Sequence, residues 1–226
     1  MAIRKAKNED FFKKWSPEMS YVLGFFTADG SMAKNVRGGH YIEFYTTDRD
    51  LLYNIRRALA STNSIGVRDR ARQNPKWKMA YRLQIGSKVM FKDLLHLGLT
   101  PNKSRVVQFP KMPSRYLADF VRGYFDGDGN VTVSTFVRRN RNNRLNTTIL
   151  SGFVSGSRIF LEKLHAQLIK FGGIVGGTLY HGSRAHRLYF SVNDSRALYR
   201  FMYKNNATPL SLERKKRIFE KYFKIA

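Results

Sequence analysis

The alternation of apolar and polar positions divides the chain into two series of elements that follow one another in the same order. Each series opens on a strongly apolar helix and continues with a strand pair, a helix, a second strand pair and a closing helix. The opening helices begin behind Ser16-Pro17 and Pro113-Ser114, and Ser and Pro are preferred at helix starts. The pattern predicts an α+β fold of two repeats, each of the order αββαββα with antiparallel hairpins.

The two repeats correspond along most of their length. Phe44 and Phe153 stand at matching places in the first strand pair of each repeat. Two prolines, Pro110 and Pro113, interrupt any regular element and mark the boundary between the repeats. We therefore divide the chain into a basic N-terminal arm at 1–15, a first repeat at 16–109 and a second repeat at 110–226.

Both opening helices end on nearly the same residues, GFFTADG in the first repeat and GYFDGDG in the second. In each helix two small residues stand four positions apart, Gly24 with Ala28 and Gly123 with Gly127, so they share one helix face. Small faces let two helix backbones approach closely. The repetition predicts that the two helices pack against each other at the seam between the repeats, with their C-terminal ends side by side.

The charge balance indicates a polyanionic partner. Forty-one Lys and Arg against sixteen Asp and Glu give a formal net charge of +25. The basic residues are spread among aromatic and β-branched ones, which favours nucleic acid as the partner. No apolar run approaches the roughly 18 residues of a membrane span, and the N-terminus lacks the apolar stretch of a signal peptide. We therefore expect no membrane partner. Cys is absent, which fits an intracellular protein.

Each opening helix carries an acid near its C-terminus, Asp29 in the first repeat and Asp128 in the second. A carboxylate there faces the negative end of the helix dipole, and a second carboxylate nearby adds repulsion. A divalent cation relieves both effects, because hard cations prefer carboxylate and carbonyl oxygens. An EF-hand loop from Asp126 is excluded, since Val131 and Val137 replace its Gly and Glu. With a phosphate substrate, the pair predicts metal-assisted phosphodiester hydrolysis.

Strand periodicity assigns one face of each curved sheet to the helices and the other to duplex DNA. Arg68, Arg70 and Arg72, at period two, would repel one another in water but suit the major groove, where Arg binds guanine bidentately. Ten extra residues lengthen the hairpin RRNRNNRLN of the second repeat, whose basic tip suits phosphate contacts. The predicted DNA-binding residues are Lys34, Arg37, Tyr41, Glu43, Tyr45, Thr47, Arg68, Arg70, Arg72, Lys76, Lys78, Arg82, Thr132, Ser134, Arg138, Arg139, Arg141, Arg144, Thr178, Tyr180, Arg184 and His186.

The segments VLGFFTADG and VRGYFDGDG resemble the two copies of the nine-residue signature of the LAGLIDADG homing endonucleases. The order of elements in each half also resembles that family, in its single-chain, two-repeat form. The first copy departs from the signature at the sixth position, where Thr27 replaces the usual Asp, while Asp126 keeps it in the second. The resemblance implies two pseudo-symmetric repeats whose curved antiparallel sheets form a DNA-binding saddle.

The resemblance also implies a catalytic site. Asp29 and Asp128, with the carbonyl groups of Ala28 and Gly127, would hold divalent cations; Mg²⁺ is the expected ion, and Mn²⁺ or Ca²⁺ would substitute in binding. Cleavage would cross the minor groove and leave short 3′ overhangs. One lysine in each half would lie near the attacking water, Lys103 in the first and Lys215 in the second. A role of these lysines in phosphate contact alone stays open.

Three functions stay open at this point: a double-strand DNA endonuclease, an RNA-splicing maturase on the same fold, and a DNA-binding regulator that has lost cleavage. The presence of both acids argues against the regulator. Arginines at strand period favour DNA, because the deep, narrow major groove of RNA does not admit such a ribbon. The unequal hairpins of the two halves predict a monomer on a long, non-palindromic DNA site. Whether an intron, an intein or a free-standing gene encodes the chain also stays open.

Overall fold

The computed structural model describes residues 5–70, 74–102, 106–138, 143–204 and 208–225. The first repeat consists of α1 (Pro17–Asp29), β1 (Gly30–Lys34), β2 (His40–Thr46), α2 (Arg49–Ala58), β3 (Ile65–Arg68), β4 (Ala80–Gly86) and α3 (Lys88–His96). The second consists of α4 (Leu117–Asp128), β5 (Gly129–Arg138), β6 (Arg144–Ser155), α5 (Arg158–Phe171), β7 (Thr178–Tyr180), β8 (His186–Phe190) and α6 (Val192–Tyr203). The predicted αββαββα order is confirmed in both repeats.

The second repeat ends with a helix that the sequence analysis did not anticipate, α7 (Glu213–Phe223). Its apolar side chains are spaced for packing, and Phe219 is fully buried against the ring of Phe125 at a centroid distance of 5.7 Å. The first turn of α7 reaches the C-terminal end of α4, where Lys215 donates to the carbonyl groups of Phe125 and Gly129, although some 90 residues separate these positions in sequence. No helix in the described ranges is long and apolar enough to cross a membrane.

Each repeat forms one four-stranded antiparallel sheet, with strand orders β1-β2-β4-β3 and β5-β6-β8-β7. The first pairs have equivalent registers, since Gly30 lies opposite Phe44 and Gly129 lies opposite Phe153. In each repeat the helix that ends on the acid continues directly into the first strand, because β1 begins at Gly30 and β5 begins at Gly129. The structure confirms an α+β fold of two similar halves.

The alternation of side chains divides each sheet into two faces. In the first sheet, Ile42 and Phe44 are completely buried and lie on the side covered by helices. Tyr41, Glu43 and Tyr45 point to the opposite side, which we call the open face. In the second sheet Phe153 and Leu188 are buried on the helix side, and the residues that alternate with them form its open face.

The α1 helix begins where the sequence analysis placed it. The Ser16 hydroxyl accepts a hydrogen bond from the Met19 amide at 3.1 Å, and Pro17 occupies the first turn. The α4 helix is preceded by a 3₁₀ turn over Ser114–Tyr116 and starts at Leu117, two residues later than the Pro-Ser signal indicated.

The described part of the N-terminal segment packs on the first repeat. Phe11 and Phe12 are buried in the core, and the Asn8 amide donates a hydrogen bond to the Leu59 carbonyl at 2.9 Å. Residues 8–12 are therefore part of the folded unit as well as of a basic arm.

Candidate functional site

The two motif helices α1 and α4 form the most extensive contact between any two elements. A β-carbon placed on Gly24 would lie 2.1 Å from the Phe120 carbonyl oxygen, and one on Gly123 would lie 2.0 Å from the Tyr21 carbonyl oxygen. Both distances are far inside van der Waals contact, so only glycine fits at either position. The backbones thus touch in a nearly two-fold arrangement, as the small-residue spacing predicted.

The acids lie at the C-terminal ends of these helices. Asp29 and Asp128 are the last residues of α1 and α4, and both are half-buried. A β-carbon on Gly127 would lie 3.3 Å from Asp29 Oδ2, so the carboxylate of the first repeat lies beside the backbone of the second. Burial raises the pKa of Tyr124, and the carboxylates of Asp128 and Asp29 raise it further. Both acids therefore lie within electrostatic range of the same buried phenol.

The sixth position of the motif has different functions in the two copies. Asp126 is buried and accepts hydrogen bonds from the Tyr21 hydroxyl at 2.6 Å and from the Leu212 amide at 2.8 Å. Burial raises the pKa of Asp126 to about 6, against the lowering effect of its hydrogen-bond donors and of Lys215. Thr27 instead donates to the Leu23 carbonyl within its own helix at 2.7 Å. Only the second copy uses this position to attach another segment.

Lys215, in the first turn of α7, places its ammonium group at the C-terminal end of α4. Its Nζ donates to the carbonyl oxygens of Phe125 at 2.7 Å, Asp126 at 2.9 Å, Gly127 at 3.3 Å and Gly129 at 2.6 Å. The side chain is buried, and burial lowers the pKa of Lys215 to about 8, although the carboxylates of Asp126, Asp29 and Asp128 raise it. The ammonium thus lies within electrostatic reach of both motif acids.

Arg122 attaches the same C-terminal segment one turn earlier on α4. Its side chain is completely buried. Its guanidinium donates to the Leu210 carbonyl at 3.0 Å, to the Met202 carbonyl at 2.8 Å and to the Asp119 carboxylate at 2.7 Å. Together with Asp126 and Lys215, this arginine fixes the chain around residues 210–215 along the second motif helix. Sequence reasoning missed Arg122 and Asp119, since a charged pair three residues apart on a helix usually indicates a solvent-facing side.

The donor set at the seam fits a hard divalent cation. Among the described residues at the seam, the candidate ligands are oxygen atoms: the carboxylates of Asp29 and Asp128 and the carbonyl groups of Ala28 and Gly127. Asn130 adds a buried Oδ1 atom without a hydrogen-bond partner, two residues beyond Asp128. The described residues contain no group of three or more His, Cys, Asp and Glu side chains placed to hold a metal. Main-chain oxygens, water or a phosphate would therefore have to complete the coordination.

Most of the predicted DNA-binding residues in regular strands lie on the open faces. The register aligns Glu43 with Ser31 and Gln84, and Tyr45 with Arg82. In the second sheet Thr132 pairs with Leu150 and Ser134 with Thr148. The predicted residues on open faces are Tyr41, Glu43, Tyr45, Arg68, Arg82, Thr132, Ser134, Arg144, Thr178 and Tyr180.

Two residues lie on the other side of the sheets from the one assigned to them. Lys34 pairs with His40, which lies two residues before the buried Ile42 on β2 and on the same face. Lys34 is therefore on the helix side, where its ammonium is 5.5 Å from the centre of the Phe91 ring. His186 alternates in phase with Leu188 and Phe190 and likewise belongs to the helix side. Its Nδ1 lies 3.3 Å from Nδ1 of His181 across the β7–β8 turn. Lys34 and His186 therefore lie outside the open faces, and their predicted contact with DNA stays a prediction.

The predicted arginine stripe is shorter than the sequence pattern indicated. The β3 strand ends at Arg68, and Arg70 lies beyond it with its guanidinium 4.7 Å from the centre of the Trp77 ring. Lys76 and Lys78 precede β4, in the turn rather than in the strand. Three further exposed residues also stand outside strands, namely Arg37, Thr47 and Arg184.

Several predicted residues fall outside the described ranges: Lys103, Arg72, Arg139 and Arg141. Arg138 is the last residue of β5 and pairs with Arg144. Other open-face residues were not anticipated. Arg187 and Tyr189 share their face with Tyr180 and Thr178, and Gln84 donates a hydrogen bond to Glu43. The alternation of Leu188 and Phe190 with polar neighbours is the signal that identifies Arg187 and Tyr189.

Residues 16–97 match the family model of the LAGLIDADG-like domain. The whole fold is similar to that of I-AabMI, a LAGLIDADG meganuclease solved bound to uncleaved DNA, with a TM-score of 0.63, 13% identity, and coverage of 93% of this chain and 90% of that one. It is also similar to I-CpaMI, another LAGLIDADG meganuclease bound to uncleaved DNA, with a TM-score of 0.62, 12% identity and coverage of 94% and 91%. The first repeat is thus a LAGLIDADG-like domain, and the chain has the two-repeat fold of LAGLIDADG homing endonucleases. The family model thus confirms the motif resemblance in the first repeat, and the structural similarity confirms the two-repeat fold.

Two proteins of Methanocaldococcus jannaschii are similar to part of this chain. An uncharacterized protein is 25% identical over 129 residues, which are 55% of this chain and 43% of that protein. The DNA-directed RNA polymerase subunit Rpo1C is 25% identical over 123 residues, which are 54% of this chain and 14% of that subunit. This chain therefore spans less than half the length of either relative.

Proposed function

We propose that this chain is a site-specific double-strand DNA endonuclease that hydrolyses phosphodiester bonds with a divalent metal ion, Mg²⁺ being the expected one. The observation that carries the proposal is the pairing of Asp29 and Asp128 at the ends of two helices held in backbone contact by Gly24 and Gly123. A carboxylate at a helix C-terminus faces the negative end of the helix dipole, and a bound divalent cation would offset that unfavourable charge. A DNA-endonuclease family and DNA-bound structural neighbours support the same conclusion.

The chain's own residues supply a fixed pair of acids rather than an acid–base relay. Asp29 and Asp128, with the carbonyl groups of Ala28 and Gly127, would hold the cation, and Asn130 Oδ1 offers a further oxygen. A bound divalent cation supplies Lewis-acid activation of water and stabilisation of the leaving 3′ oxygen. The glycine seam fixes the separation of the two acids. Short 3′ overhangs are what the resemblance to the LAGLIDADG homing endonucleases implies for the cut.

The open faces would bind the duplex on either side of this centre. They present polar and basic side chains from both sheets, and the net charge of +25 favours association with a polyanion. The two open faces carry different residues at corresponding places, and one chain supplies both halves of the site. We therefore propose a monomer that recognises a long, non-palindromic target.

A cleavage selection on a random double-stranded DNA library with Mg²⁺ tests the proposal. The matched control is the double variant Asp29→Asn, Asp128→Asn, which keeps the shape of both side chains and removes their charge. Recurrent cuts with 3′ overhangs, made only by the protein with intact acids, are the expected result. Tight nucleic-acid binding with no cuts would overturn the nuclease and favour a maturase or a regulator.

A further inference from the structure

The C-terminal end of α4 has an unusual partner. The last carbonyl groups of a helix lack intrahelical donors and are normally satisfied by a following turn, by water or by a side chain. At the end of α4, the single ammonium group of Lys215 is within hydrogen-bond distance of four carbonyl groups: those of Phe125, Asp126 and Gly127 in the helix and that of Gly129, the first residue of β5. Three N–H bonds thus serve four carbonyl groups inside the protein.

This arrangement leaves Lys215 little freedom for direct chemistry. An ammonium has three donors and no acceptor, and here every donor is directed at the main chain. The side chain is only 6% exposed, so a water molecule or a phosphate would have to displace a carbonyl group to reach it. The cation also lies at the negative end of the α4 dipole, next to Asp128, where it offsets the charge that makes an acid unfavourable at that position.

We propose that Lys215 is a positioning residue, which holds the acid-bearing end of α4 in place and so fixes the Gly127 carbonyl and the Asp128 carboxylate for a divalent ion. This assignment rests on the proposed function and replaces direct participation of Lys215 at the attacking water. It also explains the attachment of α7: Arg122 and Asp126 bind the chain at 210–212, which brings Lys215 to the end of the same helix.

The matched pair of variants is Lys215→Met and Lys216→Met. Both remove one positive charge from adjacent positions of α7, but Lys216 is partly exposed and pairs with Glu220 at 3.4 Å. Hydrogen–deuterium exchange of the metal-free protein is the first measurement. In Lys215→Met, amides around 125–130 are expected to exchange about tenfold faster than in the unsubstituted protein, while those of α1 keep their protection. Lys216→Met should leave both helices unchanged.

The second measurement is the Mg²⁺ dependence of DNA cleavage. Loss of a group that orients metal ligands should raise the Mg²⁺ concentration for half-maximal rate by roughly tenfold or more. The rate at saturating Mg²⁺ should then recover. A rate loss that excess Mg²⁺ does not recover would overturn the proposal and indicate direct chemistry, as would unchanged exchange at the end of α4.

The two proposals fail separately. If the unsubstituted protein cuts no DNA, the endonuclease function fails, but the exchange experiment still decides whether Lys215 holds the end of α4. If Lys215→Met does not fold, Lys215→Gln replaces it, because it keeps a polar head with two N–H donors but removes the ammonium group. Faster exchange confined to the end of α4 supports the positioning role, and unchanged exchange there contradicts it.

Discussion

Arg214 and Asp48, which are 166 positions apart, form two parallel hydrogen bonds of 2.9 Å each, from Nε to Oδ1 and from Nη2 to Oδ2. The pair links the start of α7 to the residue that precedes α2, and therefore links the second repeat to the first. Its geometry is bidentate, but the Arg214 side chain is 55% exposed. Exposure and competition from water limit the strength of such a pair.

We expect Arg214→Ala to lower the free energy of unfolding by no more than about 1 kcal/mol. Urea denaturation at low and high salt measures this, and the difference from the unsubstituted protein should shrink as salt rises. A loss of several kcal/mol would show that the pair is a principal link between the repeats.

The glycine seam predicts a larger effect. Gly24→Ala and Gly123→Ala each gain about 1 kcal/mol of helix propensity, but the new β-carbon meets a backbone carbonyl oxygen at about 2 Å. No rotamer change relieves that overlap, so each variant should lose about 3 kcal/mol through overpacking. Gly66→Ala is the control, because its nearest neighbour would be 3.8 Å away. Equal stabilities for all three variants, measured by thermal denaturation, would contradict the backbone contact.

The buried arginine predicts strong coupling to its acid. Arg122→Met leaves the Asp119 carboxylate buried without its partner, which typically costs about 3–5 kcal/mol. The double variant Arg122→Met, Asp119→Leu removes both charges and should recover part of that loss. A double-mutant cycle by chemical denaturation measures the coupling. Additive effects of the two substitutions would mean that the ion pair does not stabilise the fold.

The open and helix-side faces should differ in their contribution to DNA binding. Binding to non-specific duplex should weaken with salt, with a log–log slope of about −0.9 for each phosphate contacted. Arg144→Gln, on the open face, should reduce the magnitude of that slope by about 1. Lys34→Gln removes the same charge from the helix side and should leave the slope unchanged. Equal slopes for the two variants would contradict the assignment of the faces.

Alkaline titration tests the contact between α6 and α7. Burial raises the pKa of Tyr199 to about 12, together with the effect of the neighbouring Glu220, which accepts a hydrogen bond from the Tyr199 hydroxyl at 3.2 Å. A raised pKa means that the folded state holds the proton more tightly, so the stabilisation is complete below the unfolded pKa near 10 and is lost as the pH rises through 12. The fall in stability over that interval should be smaller in Tyr199→Phe, as measured by urea denaturation.

The sequence predicted the repeats and the seam because both depend on local patterns. Apolar periodicity identified the helices, and the four-residue spacing of small residues identified the contact between α1 and α4. The acids followed from the same motif. Those parts needed no knowledge of which distant segments meet.

The sequence could not predict features that distant segments determine. The side of the sheet on which Lys34 and His186 lie follows from the strand register with Ile42 and with Leu188. The α7 helix and the cluster of Arg122, Asp126 and Lys215 depend on contacts between residues some 90 positions apart. A buried charge is also indistinguishable in sequence from a surface charge, because only the fold supplies the carbonyl groups that surround it.

The backbone contact at the seam constrains the spacing of the two acids but not the side chains of the open faces. Replacement of either glycine would force the helices apart, so the spacing of the acids depends on both residues. The open faces have no such constraint, and each half can exchange its exposed side chains independently. Under the proposed function, the two halves would therefore change their DNA contacts separately while the separation of the two acids stays the same.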